Sequence, residues 1–195
     1  LVTPTHFVPQ IIHSLNLAKA DGLRLPVIYN TGGYERVETL RLLEGYVDVY
    51  LPDFKYISPS AARLYSNAPD YPDVVKSAIA EMFRQTGKIR FDSDGIARRG
   101  MIVRHLVLPG HAEDAKRIIK YLHTAYGEDI YLSIMNQYTP MPAAKSFPNL
   151  RRPIRRDEYD SVIDYALSIG VENAYIQEGE TAEESFIPEF NLEGL

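Results

Sequence analysis

Four short apolar runs in this chain each end in a cluster of polar, glycine or proline residues. That recurrence constrains the fold more than any other feature. Residues 27–29 run into Asn30-Thr31-Gly32-Gly33, and 47–51 into Pro52-Asp53-Phe54-Lys55. Residues 102–108 run into Pro109-Gly110, and 130–135 into Asn136-Gln137-Tyr138-Thr139-Pro140. Patterns of helical period follow or separate most of these runs. Alternation of this kind predicts an α/β fold with right-handed crossovers, parallel strands and helices outside. The expected architecture is an incomplete (β/α) barrel, its strands near Leu1, Val27, Val47, Ile102, Ile130 and Ala174 in chain order. In such sheets and barrels the chemistry gathers where the strands end, because the βα loops converge there.

Helical periodicity is read over Val8–Ala20, 35–43, Pro59–Ser66, 71–85, 111–126 and 158–169, with Asp70 as a candidate N-cap. Pro72 fits only the first turn of its helix. Residues 88–100 are polar and glycine-containing and should form a loop or small hairpin. Residues 139–156 form a Pro- and Arg-rich excursion, and 178–195 an acidic tail.

At 195 residues the chain suits a single domain over 1–195. Its net charge of −5, with no long basic block, argues against nucleic acid as a partner. The longest apolar run, 101–108, is too short to cross a bilayer, and no basic region of a signal peptide opens the chain. A cytoplasmic location is the default expectation. No cysteine is present, so disulfides, Cys-ligated metals and a thiol nucleophile are excluded within these residues. The chain begins without Met inside an expected strand, so it reads as a piece of a longer protein. Removing a first βα unit would expose a strand edge, and self-association through residues 1–3 is expected.

Asp53 and Lys55 lie two apart at a strand end and therefore point to one face. An acid and an amine side by side suit a zwitterion, a ribose or a phosphate. An ordinary surface ion pair would look the same and contribute little. Asn30-Thr31-Gly32-Gly33 offers small residues and free backbone N–H groups, or a plain turn. Arg104 shares a strand face with Leu106 and, if turned inward, needs a partner or an anion. His105 then faces the helix layer as a hydrogen-bonded structural residue. His6 sits at the end of the first expected strand, and His111 opens a helix that it could help cap. The five histidines show no metal-ligand spacing.

Taken in order, these loops resemble the radical S-adenosylmethionine (SAM) superfamily, and most of all proteins related to pyruvate formate-lyase-activating enzyme. Tyr29-Asn30-Thr31-Gly32-Gly33 resembles the D-T-N-G strand end, and Asp48 through Lys55 the D-x-x-x-x-D-x-K strand. Val103 through Gly110 resembles I-R-x-x-V-x-P-G. The resemblance implies a partial TIM-barrel-like core and a SAM site. In that site Asp53 and Lys55 would contact the ribose and methionine portions. Arg104 and the Leu106 backbone would hold SAM on the adjacent strand. Asn30 and Thr31 would line the site, in some relatives beside a monovalent cation, with Gln137 and Tyr138 near a late strand-end contact. His6 falls where a G-G-E motif is replaced by Thr3-Pro4-Thr5-His6, and Asn30 replaces an Asp.

The family's C-x-x-x-C-x-x-C loop, which holds a 4Fe-4S cluster, is absent and is expected upstream of Leu1. The resemblance therefore implies the carboxyl-terminal part of an oxidoreductase that reductively cleaves SAM to a 5′-deoxyadenosyl radical. No catalytic or metal-binding residue is expected within this chain, which would be inactive alone. A protein substrate such as a glycyl radical enzyme is the implied partner. Two alternatives stand beside it. One is a TIM-barrel-type enzyme acting on a phosphorylated small molecule. The other is a non-enzymatic module that docks a protein through its Pro/Arg-rich excursion.

Overall fold

The computed structural model describes residues 1–177, so the acidic tail at 178–195 lies outside the described residues. Strands β1 (Ile28–Thr31), β2 (Val49–Pro52), β3 (Arg90–Phe91), β4 (Ala97–Leu106), β5 (Tyr131–Met135) and β6 (Ala174–Ile176) form a six-stranded sheet. Its order is β1-β2-β4-β5-β6, every one of these neighbours parallel, with β3 antiparallel to β4 alone. Residues 1–3 extend the parallel order by one short segment: the Thr3 N–H donates to Asn30 O and the Asn30 N–H to Leu1 O. The spatial order of the expected strands thus equals their chain order. The sheet is nevertheless open, with residues 1–3 at one edge and β6 at the other, and it is not purely parallel.

The helices are α1 (Val8–Ala20), α2 (Val37–Leu42), α3 (Pro59–Ser66), α4 (Tyr71–Thr86), α5 (Ala112–Tyr126) and α6 (Arg156–Ser168). Local signals set their ends. Pro59 opens α3 behind Ser58, whose hydroxyl accepts from the Ala61 N–H, and Asn67 closes it at φ +50. Asp70 precedes α4 but caps nothing with its side chain, because its carboxylate instead accepts the Tyr34 hydroxyl at 2.8 Å. His111 likewise gives no side-chain cap; its Nε2 meets the Tyr65 hydroxyl at 2.7 Å. Residues 88–100 form the hairpin β3–β4. Asp92 Oδ1 accepts from the N–H groups of Asp94 and Ile96, an Asx-type turn that returns the chain.

Alternation along the strands separates two unlike faces. Tyr29, Tyr50, Val103 and Ile134 are fully buried in the same core cluster as the apolar stripes of α4, α5 and α6. Tyr50 donates its hydroxyl to Gln85 of α4 at 2.7 Å, and Tyr159 of α6 donates to Ile134 O at 2.8 Å. On the opposite face Leu51, Ile102, Leu106, Tyr131 and Met135 are only half-buried. A parallel sheet ordinarily hides both faces; among the described residues this one hides the helix-covered face more fully, though Val49 is buried on the other. Among the described residues no helix is long and apolar enough to cross a membrane.

Candidate functional site

The less buried face ends in a charged cluster. The pairing of β2 with β4 closes at the bridge between Asp53 and Arg104, the last point where the two strands touch. There the Arg104 guanidinium donates twice to Asp53 Oδ1, from Nε at 2.9 Å and Nη2 at 2.7 Å. The Lys55 ammonium stands 3.9 Å from Asp53 Oδ2, too far for a hydrogen bond but close enough for attraction. The expectation that Asp53 and Lys55 share a face therefore holds, and Arg104 finds the partner that its position requires. Arg104 and Asp53 are partly shielded, whereas Lys55 is about half exposed (49%).

The backbone beneath these side chains is pinned almost atom by atom. The Asp53 N–H donates to Thr31 O at 2.9 Å and the Phe54 N–H to Arg104 O at 2.8 Å. His105 Nδ1 lies 2.7 Å from Phe54 O. A carbonyl only accepts, so Nδ1 carries the proton and Nε2 is left as a buried acceptor without a partner among the described residues. Burial holds the His105 pKa below its ordinary value, with the Phe54 carbonyl pulling the other way. His105 is thus the structural residue of the helix layer expected from its parity. It also lines a small cleft with Lys55, Tyr56, His111 and Asp114.

Close approach completes the loop geometry. Gly33 has φ +78, and a Cβ there would collide with Asp53 O and lie 2.8 Å from Val75 Cγ2. Only glycine admits both the conformation and the contact. Gly32 lies under the Lys55 side chain, its Cβ position 3.8 Å from Nζ.

The remaining candidates divide. Asn30 pairs in register with Leu51, which places it on the Asp53 face, half-buried. Thr31 points the other way, and its hydroxyl is committed to the buried Glu35 Oε1. Leu106 lies on the Arg104 face and pairs only with Met135, since β2 has already left β4. The Gln137 side chain accepts from Gln177 Nε2 at 3.1 Å, and the buried Tyr138 donates to Leu150 O at 2.8 Å. Their hydrogen bonds run to the end of β6 and to the excursion, not to the Asp53 cluster. His6 is exposed on the 3-10 turn Thr5–Phe7, after Thr3 at φ +47. Among the described residues no group of three or more His, Asp or Glu could hold a metal ion.

Two participants have no sequence signal of their own. Glu35, expected on a helix, is buried (2% exposed), and its Oε1 accepts from Thr5 at 2.6 Å and also from Thr31 and Tyr29. Tyr71, which reads as a core residue opening α4, reaches the backbone of Asp53 and Lys55.

Fold and site together define an α/β protein with an open, mostly parallel sheet and a charged cluster at the strand ends. No protein-family model matches the chain. It is similar to the uncharacterized protein MJ0674 of Methanocaldococcus jannaschii, 27% identical over 172 residues that cover 88% of this chain and 46% of that protein. The chain spans about half the length of the curated relative it matches.

Proposed function

We propose that this chain is the SAM-binding, carboxyl-terminal part of a radical SAM oxidoreductase, its open sheet one wall of an incomplete (β/α) barrel. The observation that carries the reading is the meeting of Asp53, Lys55 and Arg104 where the parallel strands end on the less buried sheet face. These residues fit a zwitterionic nucleoside. Arg104 uses Nε and Nη2 on Asp53 and keeps Nη1 for a carboxylate, while Lys55 makes no hydrogen bond through its ammonium among the described residues. Asp53 Oδ2, which takes no hydrogen bond from Arg104 and faces the Lys55 ammonium at 3.9 Å, is the acceptor for a ribose hydroxyl. The half-buried Asn30 lines the same face.

An iron–sulfur cluster does not fit this chain, which has no cysteine to hold it. In this reading the cluster belongs to sequence outside these residues, and SAM when bound beside it supplies one-electron chemistry. This chain's residues bind and orient. A protein substrate such as a glycyl radical enzyme would be a partner of the whole protein.

The test is calorimetric titration of the chain with SAM, S-adenosylhomocysteine and ribose 5-phosphate. SAM is expected to bind weakly, and Lys55→Met and Arg104→Met to abolish measurable heat. Binding of ribose 5-phosphate without binding of SAM would refute the reading in favour of a phosphorylated substrate. The full-length protein, reconstituted with iron and sulfide under anaerobic conditions and reduced with dithionite, should release 5′-deoxyadenosine from SAM.

A further inference from the structure

Tyr71 is 4% exposed, its ring packed edge-on against Tyr56 and stacked with Tyr34. Its hydroxyl sits among three backbone groups from two different loops. It lies 2.8 Å from Asp53 O and 3.0 Å from Gly32 O, and it accepts the Lys55 N–H at 3.0 Å. One phenolic proton is therefore shared between two carbonyls while an oxygen lone pair receives an amide. The carbonyls belong to the loops that end β1 and β2. The amide belongs to the residue whose ammonium lies over Gly32 and beside Asp53.

We infer that Tyr71 is the positioning residue of the Asp53–Lys55–Arg104 site, its hydroxyl setting the separation of the β1 and β2 loops and hence the place of the Lys55 ammonium. The value of that site as a ligand site rests on the reading above. Removing the hydroxyl leaves the Gly32 and Asp53 carbonyls and the Lys55 N–H without their shared partner. The β1 and β2 loops must then shift relative to each other, moving the Lys55 ammonium from its place over Gly32. Burial pushes the Tyr71 phenol far above its ordinary pKa, so the hydroxyl keeps its proton wherever the protein is folded.

Tyr50 supplies the control: it is fully buried, and its hydroxyl binds Gln85 on the helix side of the sheet. Tyr50→Phe should lose stability as Tyr71→Phe does while leaving the site in place.

The experiment compares wild type, Tyr71→Phe and Tyr50→Phe by two readouts. The first is the chemical shift of the Lys55 ammonium resonance at fixed pH, which needs no ligand and reports the surroundings of that group. The second is SAM affinity by calorimetry. Tyr71→Phe should move the Lys55 ammonium resonance and weaken SAM about tenfold, with Tyr50→Phe matching wild type in both. A wild-type Lys55 resonance in Tyr71→Phe would overturn the positioning role. Wild type that binds no SAM would sink the ligand reading alone, and the Lys55 resonance would still decide the role of Tyr71. If Tyr71→Phe does not fold, 3-fluorotyrosine at position 71 keeps ring and hydroxyl and weakens the acceptor. A smaller displacement of the Lys55 resonance is then expected, and an unmoved resonance would refute the inference.

Discussion

Replacing Glu35 by Ala should destabilise the fold by about 2–4 kcal/mol, near the upper end for a single substitution. Glu35 Oε1 accepts from the hydroxyls of Thr5 at 2.6 Å, Thr31, and more distantly Tyr29 at 3.4 Å. Hydrogen bonds to a carboxylate contribute about 1.5–3 kcal/mol each, so the two short ones would sum to roughly 3–6 kcal/mol. Against this stands Glu35 Oε2, buried with no donor among the described residues, whose lost solvation subtracts from the total. Truncation also strands the buried Thr31 and Tyr29 hydroxyls. Glu35→Gln keeps one carbonyl acceptor and replaces the bare oxygen by an amide NH2 without an acceptor, and should cost only about 1 kcal/mol. Urea unfolding followed by far-ultraviolet circular dichroism measures both. A double-mutant cycle of Glu35→Ala with Thr5→Val isolates the bond that ties residues 1–7 to β1. Loss below about 1 kcal/mol for Glu35→Ala, or a coupling to Thr5 near zero, would refute the argument.

Three further outcomes are expected. Gly33→Ala should displace Asp53, because the new methyl would collide with its carbonyl oxygen at φ +78, and SAM titration should detect no binding. Glu158 accepts two guanidinium bonds from Arg152 and two backbone N–H bonds, which lower its pKa from the usual 4.5 to about 2. Its folded pKa lies below the unfolded one, so the stabilisation is complete above about pH 4.5 and is lost as the pH falls toward about 2; Glu158→Gln should flatten acid unfolding in that window. Val2 is 79% exposed on a strand edge, and sedimentation should show self-association that Val2→Pro weakens; a monomer at all concentrations would count against it.

Much of the scaffold is legible in the sequence because punctuation and period agree. Val8–Ala20 and Pro59–Ser66 form as expected, since Pro, Gly or Asn stands at their ends and an apolar stripe runs between. The start of β4 is not legible. Arg98 and Arg99 fall in a stretch that reads as a loop or a small hairpin, and the hairpin forms because β3 pairs with β4 and Arg99 donates to the carbonyls of Gln85 and Thr86. Part of the charged cluster can be read from parity, which puts Asp53 and Lys55 on one face and requires a partner for Arg104 if it turns inward. Its supports cannot. Tyr71 is 18 residues from Asp53 and His105 is 51 from Phe54, and only packing brings them together. Glu35 reads as a helix residue because nothing local announces the hydroxyls that gather around it. The closed curvature of a barrel is likewise invisible in the sequence, since strand order does not determine whether edges meet.

The pinned backbone from Asp53 to Lys55 has an entropic consequence. Immobilising a long side chain on association costs about 0.5–1.5 kcal/mol, and ordering a loop costs more. Here the loop is already ordered, and Arg104 is already held by two bonds to Asp53. The half-exposed Lys55 retains the most rotamer freedom of the three charged residues. A ligand seated at this rim would meet a rigid template, so discrimination would come from charge placement and not from loop closure. Its association should leave the protection of the loop amides unchanged while quenching the motion of one lysine.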